Sequence, residues 1–304
     1  MFGLNTVLRC GYRSWLWALG LVIHLVGPVG WANAEEEPLD RGVLGISVLS
    51  EERAPDTLKK SLDKVPAKKF MIVSRVSPGG PAEKAGLHPG DVLTRINKVA
   101  IEDAATFRAA LETLEVGEAV ELEGFSAIEK GERVNWRRGK LKVTPVAYRD
   151  LLLGAMASKK DQVTGATIYR HQESLDFPGK GSDFQLYLVQ DAKGFVTTRL
   201  RIQYLADDWL FIKQFVIKCD EATFTVTPAL PDRVERDNAR GNIWEWYDVP
   251  VKEAEQEIVD AILSAKGRVI LRHSGRQYYK DRELDRAEID RLRSVLAVRK
   301  VLEK

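Results

Sequence analysis

Ser77-Pro-Gly-Gly-Pro-Ala-Glu-Lys-Ala-Gly-Leu-His-Pro-Gly-Asp-Val-Leu-Thr-Arg-Ile-Asn97 is the run that decides the first domain. Pro81 suits the first position of a short helix and Gly86 its left-handed close. Pro89-Gly90-Asp91 forms a turn, and Val92-Leu-Thr-Arg-Ile96 has strand composition. Upstream lie two more β-rich runs, Val43–Leu49 with Gly45 inside it and Met71–Val76. A glycine inside a strand marks close approach of another backbone. Downstream, Asp103 can cap a helix whose apolar Phe107, Leu111 and Leu114 recur at helical spacing and which ends at Val116-Gly117. Strand patterns at Ala119–Phe125 and Leu141–Val146 then flank a turn near Lys130-Gly131.

The text Arg41-Gly-Val-Leu-Gly-Ile46, Pro81-Ala-Glu-Lys-Ala-Gly86-Leu87, Pro89-Gly90-Asp91-Val92-Leu93, Ile96-Asn97 and the Phe107–Val116 helix resembles a bacterial, circularly permuted PDZ domain of the type found in HtrA/Deg proteases. The resemblance covers residues 41–146, about a third of the chain. Asn97-Lys98 stands where the family often has Asn-Gly, and no trypsin-like protease domain precedes Arg41.

The resemblance implies a PDZ-like, partly open β-barrel with two helices, which binds an extended or C-terminal peptide by strand addition to an unpaired edge. Val43, Leu44, Gly45 and Ile46 would aim backbone N–H groups at a terminal carboxylate, with Gly45 giving that carboxylate room. Ser47 continues the receiving strand. Ile46 and Val48, facing Phe107, Ala110, Leu111 and Leu114 on the helix, would wall an apolar pocket for the last side chain. Arg41 stands where a cation assists the carboxylate or simply remains solvated. The groove is either open or filled by the chain's own Pro38-Leu39 or 147–160 segment.

The N-terminal 34 residues have the layout of a secretory signal peptide: Arg9 and Arg13, an apolar run from Trp15 to Trp31, then Ala32-Asn33-Ala34 before Glu35-Glu36-Glu37. That run is short for a permanent span and is broken by His24, Gly27 and Pro28. Cleavage after Ala34 gives a secreted or periplasmic protein. An uncleaved segment would instead anchor the chain, the sole route to membrane contact in this reading.

Residues 147–162 read as a connector. The segment 163–304 is β-rich and sandwich-like, with turns rich in Asp, Gly, Asn and Pro. A helix is expected at 252–265, and a terminal one at 285–302 opening on a capping box of Asp285 and Glu288. The fold class is therefore α+β. Trp209, Trp244, Trp246 and Tyr247 suit a sugar-stacking platform or, better, a core. Asp207-Asp208 with Asp248 or Asp220 lacks the regular ligand spacing of a calcium loop. Lys130, Arg133, Arg137, Arg138 and Lys140 make a basic hairpin better read as a solvated face than a phosphate clamp. Cys219, amid strand residues, reads as a buried small hydrophobe.

Composition narrows the function further. The chain has 304 residues, 44% of them hydrophobic, so it suits two globular domains, and 46 basic against 44 acidic side chains give no electrostatic case for nucleic acid. Four His and two Cys, with His88, His171 and His273 isolated from one another, suggest no metal site and no cofactor. The sequence shows no Gly-x-Ser-x-Gly, no Gly-x-Ser-Gly-Gly and no His-Glu-x-x-His, so no catalytic residue is assigned. The chain reads as a non-catalytic peptide-binding adaptor. The alternative is a cell-envelope hydrolase or carbohydrate-binding protein acting through residues 163–304.

Overall fold

The computed structural model describes residues 38–130, 133–174, 181–230, 233–239 and 241–304. The expected signal peptide, the turn residue Gly131 and the side chains of Lys130 and Arg133 lie outside the described residues. Two compact units divide the chain, Met1–Leu151 and Leu152–Lys304, and each is described by itself.

In the first unit the order is β1 (Gly42–Val43), β2 (Ile46–Leu49), α1 (Asp56–Leu62), β3 (Met71–Val76), α2 (Pro81–Lys84), β4 (Val92–Ile96), β5 (Val99–Ala100), α3 (Ala104–Glu112), β6 (Val120–Lys130), β7 (Arg133–Val143) and β8 (Val146–Ala147). An antiparallel sheet runs β2-β3-β4-β6-β7 with β5 beside β4, while β1 and β8 form a separate ladder. The main sheet is open, with β2 and β7 as its ends. The expected single strand at Val43–Leu49 is two short ones, because Gly45 takes φ +71 and turns the chain between them.

Local chemistry accounts for the helices. Pro81 opens α2, and the Asp103 side chain accepts from Thr106 N–H at 2.8 Å in a capping box that starts α3. Helix α1 was not expected from the sequence, since lysines fill the middle of its seven residues. Its Leu58 and Leu62, four apart, bury against Ile72 and Val92, and Trp136 Nε1 donates to the Ser61 carbonyl at 2.9 Å. The sheet's other face packs on α3 through Val48, Val73, Leu93, Ile96, Leu122, Phe107 and Ala110.

The expected connector 147–162 is ordered structure. It holds α4 (Tyr148–Gly154), within which the unit boundary falls, and β9 (Met156–Lys160), the edge strand of the second unit's larger sheet. Pairing with β10 conceals β9 from sequence reading, because four of its five side chains are exposed and no apolar alternation marks it.

The second unit continues with β10 (Thr167–His171), β11 (Asp183–Gln190), β12 (Val196–Ala206), β13 (Gln214–Cys219), β14 (Ala222–Val226), β15 (Glu235–Ala239), β16 (Asn242–Pro250), α5 (Glu253–Ser264), β17 (Val269–Ser274), β18 (Tyr279–Glu283) and α6 (Arg286–Leu302). A six-stranded antiparallel sheet runs β15-β16-β12-β11-β10-β9, and a four-stranded one runs β14-β13-β17-β18. The sheets meet where Tyr204 of β12 and Tyr247 of β16 approach His273 and Phe215, with ring centroids 5.3 and 5.9 Å apart respectively. Helix α6 opens on the expected Asp285–Glu288 capping box and buries Ile289, Leu292, Val295 and Val298.

Two strand assignments differ from the sequence reading. The run Trp209–Lys218, which reads as one strand in the sequence, opens with a loop at Trp209–Lys213, and strand β15 extends into Asp237–Gly241, which reads as a turn. Both follow from Glu245, which is 0% exposed. Its carboxylate accepts from the N–H groups of Leu210, Phe211 and Ile212 at 2.7–2.8 Å and from Arg236 Nε at 2.9 Å. A buried carboxylate needs such partners, and these four tie the loop and β15 to β16. Among the described residues, no helix is long and apolar enough to cross a membrane.

Candidate peptide-binding groove

Strand β2 is the terminal strand of its sheet: it pairs with β3, Ile46 opposite Val76 and Leu49 opposite Ile72, and among the described residues no strand lies along its other side. The segments that seemed able to fill this edge pair with each other. Arg149 N–H donates to the Leu39 carbonyl at 2.9 Å, Tyr148 N–H to Arg41 at 3.0 Å, and Gly42 faces Ala147 in the β1–β8 ladder.

The loop ahead of β2 has a defined orientation. The Leu44 carbonyl accepts from Ala82 N–H at 3.1 Å, at the start of α2, and the Gly45 carbonyl accepts from Ser77 N–H at 2.8 Å. In a planar trans peptide the N–H points opposite to the carbonyl. The amides of Gly45 and Ile46 therefore point away from Ala82 and Ser77. Gly45 is required for its φ of +71 and for space, since a Cβ there would lie 3.1 Å from Ser77 Cβ and 3.3 Å from Leu151 Cδ1. The absent Cβ thus relieves packing on Ser77 and Leu151, a constraint internal to the fold.

The expected pocket residues separate by burial. Phe107 is 0% exposed, and Ala110, Leu114, Leu44 and Val48 are buried with it in the core. Ile46 and Leu111 are half-buried and pack on that same cluster. Val43 and Ser47 are also half-buried; Val43 is committed to the β1–β8 ladder opposite Val146. The Arg41 guanidinium lies 5.7 Å from the centre of the Tyr148 ring, which places it in a cation–π contact and not simply in solvent. Sequence reasoning missed Ser77, Ala82 and Leu151, whose roles depend on backbone bonds and on α4.

Residues singled out elsewhere have other partners. Asp248 accepts from Arg199 Nε at 2.8 Å and from the Tyr187 hydroxyl at 2.9 Å, and Asp220 accepts from the N–H groups of Lys266 and Gly267 at 2.9 and 2.8 Å. Burial, then the Asp248 charge, holds the Tyr187 hydroxyl above its usual range, while burial lowers the Arg201 guanidinium to about 10. Trp244 and Tyr247 are buried in the sheet, Trp246 lies under Arg201, and Trp209 stacks on Phe211 at 5.9 Å. The four aromatics thus form no common platform. Arg138 and Lys140 of the basic hairpin pair with Glu123 at 3.1 and 2.8 Å, while Arg137 is exposed. Burial pushes the Cys219 thiol up to about 11, the behaviour of an inert core residue. His88 is exposed at the α2–β4 turn, and His171 accepts from Glu173 N–H at 3.2 Å.

Strand β2 ends its sheet behind a loop whose carbonyls are held by Ala82 and Ser77, and residues 35–123 match the family model described as PDZ domain. This segment is a PDZ domain. Over 142 residues the chain is 30% identical to the periplasmic serine endoprotease DegP of Escherichia coli (strain K12) and 31% identical to that of Salmonella typhimurium. Each alignment covers 47% of this chain and 25% of the relative, so the chain spans a quarter of the length of the curated relatives it matches. PDZ domains bind proteins and peptides.

Proposed function

We propose that the chain is an exported, non-catalytic adaptor whose PDZ domain captures extended or C-terminal peptide segments as an added strand on Ile46–Leu49. The single observation that carries this reading is the terminal position of β2, with the Gly45 and Ile46 amides facing away from the bonds that hold the loop. Those amides receive the terminal carboxylate, and the half-buried Ile46 and Leu111 flank its last side chain over a floor of Phe107 and Ala110. Arg41 adds positive charge beside the loop. The name of the DegP relatives places them in the periplasm, which agrees with the signal-peptide layout of residues 1–34 and supports the same compartment here.

Three or four strand hydrogen bonds at ~0.5–1.5 kcal/mol each and one buried apolar side chain at ~1.5–3 kcal/mol, less the cost of association, point to micromolar binding. Titration calorimetry with peptides ending in free apolar residues should give a dissociation constant on the order of 10 µM. Leu111→Glu, at a half-buried position, should weaken it at least ~10-fold by placing a carboxylate at the pocket. Amidating the peptide terminus should cost as much if the loop holds a carboxylate. Equal binding by wild type and Leu111→Glu would remove the groove from the function.

A further inference from the structure

The second unit ends its larger sheet, on one side, in two hairpin tips built to the same plan. Between β9 and β10, the Asp161 side chain accepts from the N–H groups of Val163 and Thr164, both at 2.8 Å, and Gly165 turns the chain at φ +72. Between β11 and β12, the Asp191 side chain accepts from the N–H groups of Lys193 and Phe195 at 2.8 and 2.9 Å, and Gly194 turns the chain at φ +90. The tips are neighbours, because Thr167 pairs with Gln190 and a Cβ on Gly165 would lie 3.4 Å from Ala192 Cβ.

Each rigid tip holds an apolar side chain out in solvent: Val163 is 95% exposed and Phe195 is 71% exposed. Lys159, Lys160 and Lys193 are exposed around them. Asp161 and Asp191 are the carboxylates of the two tips, and both are turned onto backbone N–H groups. A single exposed apolar residue means little. Two on adjoining tips with fixed backbones, ringed by lysines, match the division of a bilayer surface into acyl chains and anionic headgroups.

We propose that this end of the second unit docks on an anionic lipid surface, with Val163 and Phe195 entering the acyl boundary and Lys159, Lys160 and Lys193 meeting the headgroups. The site is distinct from the PDZ groove and from the apolar N-terminal run, and it does not depend on peptide capture.

Hydrogen exchange of the full chain, read peptide by peptide, separates this contact from any made by residues 1–34. With vesicles of phosphatidylethanolamine and phosphatidylglycerol, exchange should slow about tenfold across 161–166 and 191–195, as burial of an aromatic side chain allows. Added salt should weaken the slowing, and phosphatidylcholine vesicles should not produce it. Val163→Asp with Phe195→Asp should abolish it. Lys159→Glu, Lys160→Glu and Lys193→Glu together should abolish it too, and exchange elsewhere in β10–β12 reports whether either variant is folded. Unchanged exchange at the tips, slowing that survives both variants, equal slowing on phosphatidylcholine, or slowing that follows protein concentration without vesicles would each overturn the proposal.

Discussion

His273 sits on β17 with 1% of its surface exposed, between the rings of Tyr204 and Phe215. Burial, reinforced by the nearby Arg282 charge, lowers its pKa from 6.5 to about 4, against a smaller opposing pull from the Lys280 backbone and Asp281. The folded protein therefore holds the neutral imidazole, whereas the unfolded chain takes a proton at ordinary acidity. Stability from this residue is complete above pH 6.5 and is lost as pH falls towards 4, by about 3 kcal/mol in all. Denaturant titrations of the second unit at stepped pH should show that fall. His273→Phe, which keeps the ring packing and removes the titration, should flatten it. An undiminished slope in that variant would assign the acid sensitivity to another group. Glu245 and Phe211 show a related economy: Phe211 holds φ +55, a conformation costly for a bulky residue, and the Glu245 carboxylate fixes it through three backbone N–H groups.

Elements show which parts of the fold local sequence can reveal. Helices α2, α3 and α6 were legible because each begins with chemistry that acts within four residues, as Pro81, Asp103–Thr106 and Asp285–Glu288 do. Strands β3 and β4 were legible to the residue because they alternate or run apolar between turn residues. Helix α1, strand β9 and strand β15 were hidden, since their places are set by pairing and packing and not by their own capping or apolar alternation: by Ile72 and Val92 for α1, by Thr167–His171 for β9, and by the Arg236–Glu245 pair for β15. The candidate groove residues were named from the Arg41–Ile46 text and the Phe107–Val116 helix, whereas which of them are buried and which half-buried depends on how far α3 settles into the core. Gly124 lets two strands of the first unit's sheet come close. It faces Leu93 where the β4–β6 register shifts, and a Cβ there would lie 1.8 Å from the Val92 carbonyl oxygen. Gly124→Ala must push β4 and β6 apart, at a cost of about 2–3 kcal/mol. Hydrogen exchange across Val120–Ile128 in rising urea should report the loss. Wild-type protection there would mean the bulge absorbs a methyl group without cost.

For the whole molecule, a peptide-binding PDZ domain meets only the peptides of its own compartment, so a test of export is also a test of the proposed function. A signal peptidase would be expected to cut after Ala34, with Ala32 and Ala34 as the small residues it reads. Cleavage removes Arg9 and Arg13 and no acid, which leaves 44 basic against 44 acidic side chains. A chain cut there would be formally neutral, and the attraction proposed for Lys159, Lys160 and Lys193 would then rest on local charge at the hairpin tips and not on net charge. Expressed from its own start in a Gram-negative host, the chain should appear in the periplasmic fraction with a mass beginning at Glu35. Ala34→Arg should block the cut and leave a membrane-associated precursor, because the bulky charged side chain no longer fits the peptidase pocket. An intact Met1-containing chain from the wild type would instead make the apolar run an anchor. The groove would then work tethered to the bilayer, and the hairpin tips would serve to orient the protein without having to recruit it.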